Sequence, residues 1–115
     1  MGELLPYLPY DSGAMRAVAG VLRGHATRLA DVRESVAGAG SSLVFDGPAG
    51  DRIRSELSTC ASDCSAARDA VQAAAGKLES AADDVDRQND AIRRHNEAVL
   101  SELSPIQRKL VLESS

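Results

Sequence analysis

The chain has 115 residues, 43% of them hydrophobic, 26% charged and 3% aromatic, with no tryptophan and a net charge of −4. That length holds one compact domain, and the acidic balance excludes nucleic acid as the main partner. Nineteen alanines make up the largest part of the apolar fraction, against one Phe and two Tyr, which suits a thin, closely packed architecture better than a thick core. Apolar stretches run to only a few residues, so no transmembrane span is expected, and no basic n-region with an apolar h-region stands near Met1. Two cysteines are too few for a disulfide scaffold.

Residues 1–11 begin MGELLPYLPY. Pro6 and Pro9 remove amide donors and push the residues before them toward extended geometry, which predicts an apolar strap rather than a helix. Asp11 and Ser12 then offer N-cap oxygens. From there apolar residues fall at Met15, Val18, Leu22, Leu29, Val32 and Val36, with His25 filling the central gap. This heptad pattern predicts a first helix over 12–38, ending near Gly38 and Gly40.

Residues 39–47 read as the turn, with the short apolar cluster Leu43-Val44-Phe45 inside it. Asp46-Gly47-Pro48 restarts the chain in helical form, since proline suits the first helical position. A second series follows at Ile53, Leu57, Cys60, Cys64, Ala67, Val71, Ala74, Leu78, Ala81 and Val85, and continues through Gln88, Ile92, His95 and Val99. It predicts a helix over 48–103. Pro105 disfavours helix at Ser104, so a break and a tail over 104–115 follow.

Two helices around a short turn predict an all-α fold, an elongated antiparallel hairpin of coiled-coil type spanning 12–103. Charge supports the pairing: residues 12–38 carry four bases and two acids, and residues 46–86 carry four bases and nine acids. At about 1.5 Å per residue the second helix reaches roughly 80 Å, about twice the first. Mirrored about the turn, the first helix ends opposite Ala74–Leu78. Leu78, Val85, Ile92, Val99 and Leu103 are then left with no cover but the strap, and are predicted to be a partner-binding seam.

Other candidates weaken on inspection of their spacing. Cys60 and Cys64 share the seam face four residues apart, as free small apolar residues or as disulfide formers within or between chains. The mirrored register sets His25 opposite Cys64, giving three soft ligands but no fourth, so no metal is assigned. Gln88 and His95 read as polar layers that fix register. Asp83-Asp84-x-Asp86 lacks the alternating ligands and glycine of a calcium loop. No nucleophile–base arrangement, carboxylate pair or phosphate loop is present, so neither catalysis nor a cofactor is expected.

The run Phe45-Asp46-Gly47-Pro48-Ala49-Gly50-Asp51-Arg52-Ile53-Arg54 resembles the turn of the WXG family of type VII (ESX) secretion substrates, the early secreted antigen-like proteins of actinobacteria and firmicutes. In that family Trp-X-Gly joins two antiparallel helices. Phe45 stands in the place of the tryptophan, Gly47 matches the glycine, and Pro48 opens the proline–alanine run. The resemblance covers about residues 12–100. It implies a non-enzymatic secretion substrate or secretion-associated partner protein acting by helical-bundle dimerisation, as a homodimer or as a heterodimer with a small helical secretion protein. It also implies contact with a secretion ATPase or chaperone, and a cytoplasmic stage before signal-peptide-independent export to the medium or the cell surface. The family's Tyr-x-x-x-Asp/Glu export signal follows its second helix, whereas no tyrosine follows Phe45 here, so the signal is expected on a partner. Two other classes are a cytoplasmic coiled-coil adaptor or scaffold, and a membrane-active helical effector. The mixed charge of the polar faces speaks against the last.

Overall fold

The computed structural model describes residues 3–42 and 47–114. Phe45 and Asp46 lie outside the described residues, so the aromatic half of the turn motif is not placed. Among the described residues there are three helices and no strand: α1 (Ser12–Ser42), α2 (Gly47–Ser101) and α3 (Pro105–Ser114). α1 and α2 pack against each other in a rod of 88 × 17 × 16 Å. This is the elongated antiparallel hairpin that the heptads predict, and the 55 residues of α2 account for nearly all of its length. No helix among the described residues is long and apolar enough to cross a membrane.

Local chemistry sets the helix ends. Asp11 caps α1: its side-chain oxygen accepts from the Ala14 amide at 3.0 Å and its carbonyl from the Met15 amide at 3.0 Å. α1 runs past Gly38 and Gly40 to Ser42 instead of stopping at 38. Gly40 does not end the helix and lies beside Leu57, where an added Cβ would make ordinary van der Waals contact at 3.7 Å. α2 opens on Gly47, whose φ of +86° is a conformation that a side chain would strain.

The other end also differs from expectation. α2 stops at Ser101, two residues short of the predicted 103, and tightens as the Glu102 and Leu103 amides bond three residues back at 3.2 and 3.1 Å. The tail is not irregular. Ser104 and Gln107 form a reciprocal capping box at 3.1 and 3.3 Å with Pro105 at the first helical position, and they start α3. Proline thus separates two helices rather than ending helical structure.

The register of the hairpin is written in its cross-helix bonds. The Ser12 hydroxyl donates to Asp86 at 2.6 Å, Arg16 to Asp83 at 2.8 Å and to Asp86 at 2.7 Å, and Arg23 pairs with Glu79. α1 therefore begins level with Asp86, not with Ala74–Leu78. The mirror fails because the turn is off centre: Gly40 lies level with Leu57, so the first turns of α2 project beyond the end of α1.

The seam is also shifted relative to the predicted one. Ala19, Ala26, Ala75 and Ala82 are sealed at 0–1% exposure, whereas Val18 and Val32 are 51% and 48% exposed and His25, Cys60, Ala67, Ala74, Gln88 and His95 are all exposed. Covered positions on α2 run Leu57, Ala61, Cys64, Arg68, Val71, Ala75, Leu78, Ala82 and Val85. Half of the predicted seam is kept and the other half moves by one residue. In pairs such as Val18-Ala19, Ala74-Ala75 and Ala81-Ala82 either neighbour satisfies a hydrophobic pattern. The smaller or more central one wins because it lets the two axes approach.

Candidate functional site

Among the described residues no helix packs beside α2 beyond Asp86, and the strap takes that place. Glu3–Tyr10 runs antiparallel along α2 and is held through its backbone. The Leu8 amide donates to Asn89 Oδ1 at 2.8 Å and the Leu5 amide to Asn96 Oδ1 at 2.8 Å. Asn96 Nδ2 returns a bond to the Leu5 carbonyl at 3.0 Å, and His95 Nε2 lies 2.8 Å from the Glu3 carbonyl. Pro6 and Pro9 carry no amide hydrogen, so they leave no donor to satisfy on this ladder. The extended strap predicted from these prolines is the conformation observed.

Each residue of the predicted partner seam can now be placed. Leu78 and Val85 lie within the stretch that α1 accompanies, so they are not free of an intramolecular neighbour; Leu78 is half-buried and Val85 is 7% exposed. Val99 is also 7% exposed, at the level of the strap. Ile92 and Leu103 remain half-buried, and Leu103 lies past the end of α2. The strap shields the stripe unevenly because only Leu4 and Leu8 are themselves partly buried, while Leu5, Tyr7 and Tyr10 are 45–62% exposed.

Asn89 and Asn96 are the residues that the sequence reading missed. They continue the spacing of Ala75 and Ala82 at seven-residue intervals, one position after Gln88 and His95. Recognising the phase of the alanines would have found them. Gln88 and His95 therefore flank the seam instead of forming layers within it.

The remaining candidates are dispersed. His25 sits on the outside of α1, its Nδ1 2.6 Å from Arg28, and the register sets it level with the middle of α2 rather than with Cys64. Among the described residues no three His, Cys, Asp or Glu side chains gather as a metal site. Cys60 is exposed and Cys64 half-buried, both free; desolvation pushes the Cys64 thiol up, and neighbouring Cys60 adds to it. Near the turn, Arg33, Val36, Gly40, Arg54 and Leu57 line an open groove of about 600 Å³. Its two arginines already pair with Glu34 and Asp51.

Charge divides the open flanks of the hairpin. One flank carries the Arg16–Asp86 and Arg23–Glu79 pairs. The other presents Val18, Val32, Ala67 and Ala74 with no charged side chain among the equivalent heptad positions. Such surfaces suit packing against further helices. Compared with known proteins, the chain matches no family model, no curated protein and no solved structure.

Proposed function

We propose that this protein is a non-enzymatic helical pairing module of the type VII secretion kind, a substrate or a secretion-associated partner. It works by completing a helical bundle with another protein chain, either a second copy or a small helical secretion protein. One observation carries the reading: α2 extends its heptad seam from Asp86 to Ser101 beyond any helical neighbour among the described residues, under a strap that covers it incompletely. A hairpin whose fully sealed side chains are alanines buries little apolar area, and further helices would supply the rest. Gly47 at a φ of +86° followed by Pro48 at the start of α2 suits the glycine and the proline of the WXG-like run.

On this reading the chain is made in the cytoplasm and leaves without a signal peptide, guided by a partner's export signal and engaged by a secretion ATPase or chaperone. The test is expression in an actinobacterium with an intact or an inactivated type VII ATPase. ATPase-dependent appearance in the culture filtrate or at the cell surface is the expected result. Retention in the cytoplasm of both strains, with the fold intact, would favour the coiled-coil adaptor instead.

A further inference from the structure

We propose that Cys60 and Cys64 form a dithiolate site on α2 that holds one Cu(I) ion, a soft cation that two sulfurs satisfy. The site lies apart from the asparagine ladder of the strap and is independent of the export reading.

Both residues sit well inside the unbroken helix Gly47–Ser101, and both thiols are free. Four residues apart, they lie one turn above the other on a single face, with Cβ atoms about 5–6 Å apart. A disulfide needs its Cβ atoms at about 3.5–4.5 Å, so the two sulfurs cannot join each other while the helix is intact. A bridging ion closes the gap. With metal–thiolate bonds of about 2.3 Å, a linear sulfur–metal–sulfur unit sets the sulfurs roughly 4.6 Å apart, which rotation of the two side chains reaches without moving the backbone. The spacing thus rejects oxidation within the chain and accepts a cation between the thiols.

The number of ligands selects the ion. Among the described residues no third His, Cys, Asp or Glu joins the pair in a metal-binding group, and His25 lies on α1 against Arg28. Structural zinc takes four ligands in a tetrahedron, and iron–sulfur clusters take four cysteines. Calcium and magnesium take oxygen ligands. Of the biological metals that thiolate selects, Cu(I) is the one that two ligands satisfy.

Exposure and charge suit entry and retention. Exposed Cys60 meets the incoming ion, and half-buried Cys64 draws it partly out of water. Desolvation and then neighbouring Cys60 push the Cys64 thiol up, and Asp63 adds to them. A cation between the sulfurs removes the opposition of one thiolate to the other, because both then share a positive charge. Binding replaces two S–H bonds by two S–Cu bonds and releases two protons to the buffer. The copper remains Cu(I) throughout, and the dithiolate–copper unit carries one negative charge.

The test uses the full chain, reduced and anaerobic, titrated with Cu(I) against bicinchoninate as the competing chelator. One ion per chain is expected, with two sulfur neighbours in X-ray absorption, unchanged helicity, and no rise in sedimentation mass over the metal-free chain. Cys60→Ser and Cys64→Ser should each weaken binding at least about a hundredfold, as expected when a two-point attachment loses one point. Cys60→Ser/Ser62→Cys keeps two thiols but sets them on different faces of the helix, and should bind as weakly as the single variants. Should Cys64→Ser loosen the helix, Cys64→Ala removes the same ligand without burying a hydroxyl, and the same loss is expected. Half an ion per chain with a doubled mass overturns the proposal, since the two thiols would then come from two copies. So does a relocated pair that binds as tightly as the parent, or an ion held equally well by either cysteine alone.

Discussion

Asn96 grips both backbone polar groups of Leu5, accepting from its amide at 2.8 Å and donating to its carbonyl at 3.0 Å. A side-chain amide thereby takes the role that a neighbouring strand would play for an extended segment. The bond pair reads main chain rather than side chain, which is why Leu5 itself can stay 45% exposed.

Asn96→Ala should release the N-terminal end of the strap. The expected cost is about 1 kcal/mol in thermal or denaturant unfolding. Hydrogen exchange should show faster exchange of the Leu5 amide while α1 amides stay protected. Unchanged protection at Leu5 would mean that the strap is held by its leucines alone.

The phase of the seam is tested by two alanines eight residues apart. Ala82→Leu forces a large side chain into the closest approach of the helices and should cost about 1–3 kcal/mol. Ala74→Leu, on the exposed flank, should change stability by no more than about 0.5 kcal/mol. The reverse ranking in melting experiments would restore the seam one residue earlier.

Acid should weaken the α1 start. The Ser12 hydroxyl and the Arg16 guanidinium hold the Asp86 carboxyl below the usual carboxylate value of about 4. A depressed folded value means that the stabilisation is complete above the ordinary value and is lost as pH falls through the depressed one. Stability should thus decline below about pH 4, and Asp86→Asn should flatten that part of the profile. Both partners are well exposed, so the effect is modest and shrinks with added salt. An identical acid limb in the variant would place the acid sensitivity elsewhere.

The two thiols should separate kinetically. Exposed Cys60 is expected to react with iodoacetamide before Cys64, whose thiolate is disfavoured by desolvation and by Cys60. Mass spectrometry of partially labelled protein reads the order directly. Labelling of Cys64 first would show that this part of α2 opens.

How much of this was legible depends on which physics each feature obeys. The heptad spacing, the capping oxygen of Asp11 and the prolines of the strap are local. A helix or an extended segment follows from a few neighbouring residues, so two antiparallel helices and an apolar N-terminal strap could be read directly. Ser104-x-x-Gln107 was equally local, and attention to it would have started α3 where the predicted tail began.

The phase of the seam and the slide of the helices are different in kind. A chain in which alanine adjoins alanine or valine leaves two neighbouring faces almost equally apolar, and only the approach of a second backbone decides which is buried. That approach sealed Ala75 and Ala82 and turned Ala74 outward. The slide depended on Gly40 meeting Leu57, and on Arg16 and Arg23 finding Asp86 and Glu79, contacts between residues far apart in sequence. The sequence by itself determined the helices, the strap and their order, because each is fixed within one or two turns of chain. Only the tertiary structure decided that Asn89 and Asn96 would hold that strap, because their role requires a partner some eighty to ninety residues away.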